Sequence, residues 1–133
     1  VKEINPKVKV IGVEPALVPR YSESFKAGHP VSLDPNSKSV ADALQTLRPG
    51  ERNYPIIEKY VDKIVTVHEE NILKATKFLL TIGKLLAEIS SSITIGAVLQ
   101  KAVEFEPEDK VVFLISSGNI GIDQFNKFEN IDL

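Results

Sequence analysis

Charged and β-branched residues alternate through Lys7-Val8-Lys9-Val10, and the run turns wholly apolar at Ile11-Gly12-Val13. This pattern predicts a strand entered from the surface and buried at its end. Lys63-Ile64-Val65-Thr66-Val67 predicts a second strand. Lys110-Val111-Val112-Phe113-Leu114-Ile115-Ser116 predicts a third, closing in the turn Ser117-Gly118-Asn119. Between the last two strands the apolar period lengthens. Ile72, Ala75, Leu79, Ile82 and Leu86 recur at three- and four-residue steps, which predicts a helix over 69–87 with one apolar stripe. Leu73, Phe78 and Leu80 widen the stripe, and Glu69 and Glu70 sit in its first turn, where the helix dipole favours negative charge. Ser90-Ser91-Ser92 interrupts the pattern. A further helix is expected from about Thr94 to Phe105, with Ile95, Val98, Leu99 and Ala102 inward and Pro107 beyond its end. Shorter helices are expected at Tyr21–Ala27, closed by Gly28, and at Pro55–Tyr60, with an irregular connection over 30–50.

Strands that alternate with helices and are not joined by tight hairpin turns indicate βαβ units. The fold class expected is α/β, a three-layer αβα arrangement around a partial, mostly parallel sheet. The whole chain, 1–133, is read as a single domain. Three strands are few for an independent sheet, which averages about five or six. The chain also has no methionine. The few strands read as part of a sheet, and the missing methionine means either that a start residue was removed or not shown or that the chain is a piece of something longer.

Composition narrows the chemistry. Sixteen basic residues against eighteen acidic ones leave a net charge of −2, so no basic surface is expected for nucleic acid or an anionic membrane. No apolar run approaches the ~18 residues needed to span a bilayer, and the first residues lack the apolar core of a signal peptide. The absence of cysteine excludes disulfides, thiol nucleophiles and Cys-ligated zinc, and a cytoplasmic location is the expectation. His29 and His68 stand in unrelated settings. They make neither a metal cluster nor a Ser-His-Asp arrangement with Ser90-Ser91-Ser92. Lys38, in a polar loop, is expected to be solvated.

Specific strings carry a resemblance. Val8-Lys9-Val10-Ile11-Gly12-Val13-Glu14-Pro15 looks like a strand and turn of fold-type II pyridoxal-phosphate enzymes. Val40-Ala41-Asp42-Ala43 resembles the Ile-Ala-Asp-Gly element of threonine dehydratases and serine racemases. Tyr60 to Ile72 resembles that family's next strand and helix start, and Ser116-Ser117-Gly118-Asn119 sits where the family has Ser-Gly-Gly-Asn. The strings run over nearly the whole chain, in order and with matching spacing. They resemble the C-terminal half of a threonine/serine dehydratase, part of the large domain of a fold-type II enzyme.

The resemblance implies pyridoxal phosphate as cofactor and α,β-elimination of ammonia from threonine or serine as the parent reaction. It places Ser116 opposite the pyridine nitrogen and Glu88 close to the cofactor, with Asn119 in the same turn. No catalytic residue is assigned to this chain. By the resemblance, the Schiff-base lysine and the glycine-rich phosphate cup lie upstream. An N-terminal half is therefore the expected partner, and a homo-oligomer the expected state. The retained strings depart from the family at Ser117 and Ala43, which stand for glycines, and at Ile89, which stands for a proline. A divalent-cation site of some relatives would use Glu14 and the residue six positions on. Arg20 stands there, so no metal is expected. The alternative reading is a non-catalytic, self-associating structural or binding module.

Overall fold

The computed structural model describes all residues, 1–133. Its sheet has two parallel strands, β1 (Ile11–Pro15) and β2 (Lys63–Val67), paired in register from Ile11 opposite Lys63 to Pro15 opposite Val67. Side chains alternate between faces along a strand. Val65 and Val67 turn into the main core with Ile72, Ile89, Ile93 and Ala97. Ile64 faces the other way and shares a small cavity with Tyr21, Ile57 and Val61. Helices thus lie on both faces of the sheet, as the α/β reading requires.

Helix α1 (Arg20–Ala27) starts one residue before the expected Tyr21 and ends at Gly28, whose φ of 72° is left-handed. The His29 N–H returns to the Ser24 carbonyl and the Gly28 N–H to that of Phe25. Both bonds are those of a glycine-closed helix end. Helix α2 spans Tyr54–Tyr60, with Pro55 in its first turn, where a missing N–H costs nothing.

Helix α3 is shorter than its apolar stripe. It spans Glu69–Thr81 and buries Ile72, Ala75 and Leu79, while Ile82 and Leu86 stand exposed. Beyond Thr81 the Leu85 N–H bonds the Leu79 carbonyl across a wide closing turn, and Lys84 takes a φ of 56°. The expected continuation to residue 87 is therefore replaced by a loop.

Helix α4 is also shorter than expected. It covers Ile93–Leu99 and stops where Lys101 adopts a φ of 59° and the Ala102 N–H reaches the Ala97 carbonyl. Its inward face is Ile93, Gly96 and Ala97 rather than Ile95, Val98 and Leu99. Gly96 decides this. A Cβ there would lie 3.0 Å from the Asn71 carbonyl oxygen and 3.1 Å from Val67 Cγ1. A larger residue there would push α4 a few tenths of an ångström away from the start of α3 and the end of β2.

The expected third strand, Lys110–Ser116, is not formed. None of its backbone groups bonds to another backbone group. A strand needs a neighbour for its ladder, and this segment lies apart from β1 and β2. Val112 is 92% exposed and Leu114 74%, while Phe113 meets Phe105 edge to face at 6.2 Å. The C-terminal stretch forms a 3-10 helix, Ile122–Lys127, and inserts Phe128 into the core. Lys77 Nζ fastens it to α3 by donating to the Glu129 and Ile131 carbonyls. No helix is long and apolar enough to cross a membrane.

Candidate cofactor site

Three segments distant in sequence meet around the turn that precedes α4. The first is the short 3-10 turn Asp42–Leu44. It is carried there by Glu69, at the start of α3, whose carboxylate accepts the Ser39 hydroxyl at 2.9 Å and the Val40 N–H at 2.6 Å. That grip seats Ala41 in the core and leaves Asp42 at the surface. Ser90 Oγ then accepts the Ala43 N–H at 3.0 Å and donates to Asp42 Oδ1 at 3.2 Å.

The second segment is Glu88 to Ser92. Its three serines are buried, and each hydroxyl is engaged. Ser92 Oγ and the Ser91 and Ser92 N–H groups all converge on the Glu88 carbonyl, which forms a tight turn before α4. Ile89 fills the core. Glu88 itself is half-buried, and its carboxylate enters none of the chain's ion pairs.

The third segment is Ser116 to Asn119. The Glu88 N–H bonds the Ser117 carbonyl at 3.0 Å. Ser91 Oγ accepts the Ser117 N–H at 2.9 Å and lies 3.2 Å from Ser116 Oγ. Ser117 Oγ accepts the Asn119 N–H at 3.2 Å. A Cβ on Gly118 would lie 2.7 Å from the Leu86 carbonyl oxygen, so only glycine fits this turn. Neither Ser117 nor Ala43 has a positive φ, and a side chain is accommodated at both positions without backbone strain.

The structure brings Ser116 and Glu88 together through the backbone of Ser117 and the hydroxyl of Ser91. Asn119 lies in the same turn and is exposed. Sequence reasoning noted Ser90, Ser91 and Ser92 as a break in the pattern and missed their role as the joint. That role rests on burial and on long-range hydrogen bonds, neither of which spacing along the chain encodes. Lys38 is exposed, outside these segments. Glu14 and Arg20 are engaged elsewhere. The Glu14 carboxylate accepts the N–H groups of Tyr21 and Ser22 at the start of α1, and Arg20 Nη1 donates to the Leu44 and Thr46 carbonyls.

The family of pyridoxal-phosphate dependent enzymes matches residues 1–117. The chain belongs to this family. Among curated relatives, the L-threonine ammonia-lyase of Thermotoga maritima is 34% identical over 130 residues, covering 98% of the chain and 32% of that protein. The L-threonine ammonia-lyase of Geobacter sulfurreducens is 35% identical over 122 residues, covering 92% of the chain and 30% of that protein. The processed form of threonine deaminase isoform 2 from Solanum lycopersicum superposes with a TM-score of 0.85 at 25% identity, over 98% of this chain and 36% of that one. The fold is that of fold-type II pyridoxal-phosphate enzymes. The chain spans about a third of the length of these curated relatives.

The converging residues fit the ring end of pyridoxal phosphate: an exposed hydroxyl at Ser116, an unpaired carboxylate at Glu88 and a glycine turn with no room for a Cβ. They include no lysine amine and no glycine-rich loop feeding a helix N-terminus, the usual grip on a phosphate.

Proposed function

We propose that this chain is the C-terminal, cofactor-facing part of a threonine/serine ammonia-lyase and is inactive without the rest of that enzyme's domain. The convergence of Asp42, Glu88 and Ser116 at one place, through hydrogen bonds that span 25 to 48 residues, carries this reading. Pyridoxal phosphate, when bound, supplies an electron sink for the charge left at Cα when its proton is removed. The chain's own contribution is to place the Ser116 hydroxyl and the Glu88 carboxylate on a rigid turn beside the ring. Ser116 is a neutral hydrogen-bond partner for a ring nitrogen. A neutral partner does not favour protonation of that nitrogen, which suits elimination over slower carbanion chemistry. The amine that holds the cofactor and the phosphate grip come from the remaining part of the domain. The segment Lys110–Ser116 supports the same reading, because its backbone groups make no bonds to other backbone groups of the chain.

The test is a titration of the purified chain with pyridoxal phosphate, followed by the absorbance of lysine-bound cofactor and then by addition of threonine. The expected result is no saturable band. A band that saturates and responds to threonine would show that a lysine of this chain serves, and the proposal of incompleteness would fall.

A second reading, a self-associating module without catalysis, is favoured by one observation. Ile82, Leu85, Leu86, Val112 and Leu114 all stand more than half exposed, and exposed apolar side chains of this kind favour association. A homo-oligomer would cover them. A monodisperse monomer by light scattering would remove this reading.

A further inference from the structure

The Ser91 side chain is almost completely enclosed, at 4% exposure, and its hydroxyl has two polar neighbours. One is the Ser117 N–H at 2.9 Å, and the other is Ser116 Oγ at 3.2 Å. An amide N–H can only donate, so toward Ser117 the Ser91 oxygen accepts. The Ser91 proton then needs an acceptor of its own, because a buried donor without a partner loses its hydration and gains nothing. Ser116 Oγ is the acceptor within reach. The opposite arrangement would load two donors onto the Ser91 oxygen and strand its proton inside the protein. Ser116 is exposed and finds water in either case. The buried partner therefore dictates the direction of the bond.

We infer that Ser91 is a positioning residue that sets the donor sense of the Ser116 hydroxyl, leaving the Ser116 proton directed outward. This rests on the proposed function for its purpose, since Ser116 is the group that would meet the cofactor ring. An outward O–H suits an unprotonated aromatic nitrogen, which can only accept. It does not suit a protonated one, which is itself a donor. Ser91 also holds the Ser117 N–H, so one buried oxygen fixes both the height of the turn and the polarity of its exposed hydroxyl. The sense of that hydroxyl is thus fixed before any ligand arrives.

The experiment is nuclear magnetic resonance on the purified 133-residue chain. The Ser91 hydroxyl proton is expected as a slowly exchanging resonance with a cross-peak to the Ser116 β-protons, while the Ser116 hydroxyl exchanges too fast to observe. In Ser91→Ala the Ser117 amide should exchange about tenfold faster, while core amides such as those of Val67 and Ile72 keep their protection. The Ser116 χ1 couplings should become averaged. Ser91→Thr, which keeps the hydroxyl, should restore both. A Ser91 hydroxyl that exchanges as fast as an exposed serine, or a Ser117 amide and Ser116 rotamer unchanged in Ser91→Ala, would overturn the inference. If Ser91→Ala fails to fold, the wild-type hydroxyl resonance decides alone. Pyridoxal phosphate added to the wild-type chain together with a polypeptide that carries the remaining part of the domain separates the two ideas. No shift at Ser116 would count against the proposed cofactor contact, while the hydroxyl direction is read in the free chain.

Discussion

The backbone N–H of Glu88 is bonded to the carbonyl of Ser117 at 3.0 Å. This contact makes a single platform of the loop after α3 and the turn of Ser116 to Asn119. The side chains that would face a cofactor are rigid to the extent that this bond and its neighbours are kept.

Gly118→Ala tests the platform directly. The added Cβ meets a backbone carbonyl at 2.7 Å, and backbone cannot swing aside as a side chain can. A loss of about 1–3 kcal/mol is expected, the range for forced overpacking, read as a lower urea midpoint. An unchanged midpoint would mean that the turn moves freely.

Ser90→Ala removes the latch between the platform and the Asp42 turn. The Ala43 N–H keeps a second acceptor in Asp42 Oδ1 at 2.9 Å, so the loss is expected to be modest, about 1 kcal/mol. Faster amide exchange confined to residues 41–44 is the specific mark. Exchange that rises across the whole chain instead would point to global loosening.

Asp62 anchors the N-terminal segment to the start of β2. Its carboxylate takes the Lys2 ammonium at 2.6 Å and the Val10 N–H at 2.7 Å, and these hold its pKa below the ordinary carboxylate value. A group with a depressed folded pKa contributes stability that is present above its unfolded pKa, ~3.9 for Asp. That contribution is lost as pH falls through the lower folded value. Wild type should therefore lose more stability than Asp62→Asn between about pH 5 and pH 3. Parallel pH profiles of the two proteins in denaturant titrations would refute this.

Segment Lys110–Ser116 should exchange its amides almost at the rate of an unfolded peptide in the isolated chain, since no backbone bond protects them. Mixing with a polypeptide that carries the remaining part of the domain should slow them. Exchange that stays fast while the two pieces co-purify would mean that the partner sits elsewhere.

Lys101→Gly should stabilise the chain by about 0.5–1 kcal/mol, because Lys101 closes α4 at a φ of 59° that glycine adopts without strain. A thermal melt reads the effect, and a lower midpoint would contradict the strain argument.

What the sequence revealed follows from what local patterns encode. Lys63–Val67 was legible to the residue because its alternation and its burial agree. The end of α1 was legible because Gly28 announces it. The end of α3 was not. Ile82, Leu85 and Leu86 continue a helical period, and a lysine in the left-handed region gives no warning. Lys110–Ser116 has the composition of a strand, but composition speaks of side chains and not of who supplies the ladder. Phe128 reaches the core just past a 3-10 turn, where Phe125, Phe128 and Ile131 recur at three-residue steps that match neither a strand nor a long helix. At the site, resemblance selected Ser116 and Glu88, and the structure brings them together. Asn119 lies in the same turn and is exposed. The serine joint stayed hidden, because hydrogen bonds across 25 residues leave no trace in spacing.

Arg20 reaches out of α1 to hold the carbonyls of Leu44 and Thr46 with one guanidinium nitrogen, at 2.8 and 3.2 Å. A positive charge that gathers main-chain oxygens in this way is tethered by its own side chain. Its bonds can open to water, but the charge stays on the chain and no chelator can strip it away. The geometry of the loop just behind Asp42 is thus written into the polypeptide and does not depend on which ions the surroundings supply.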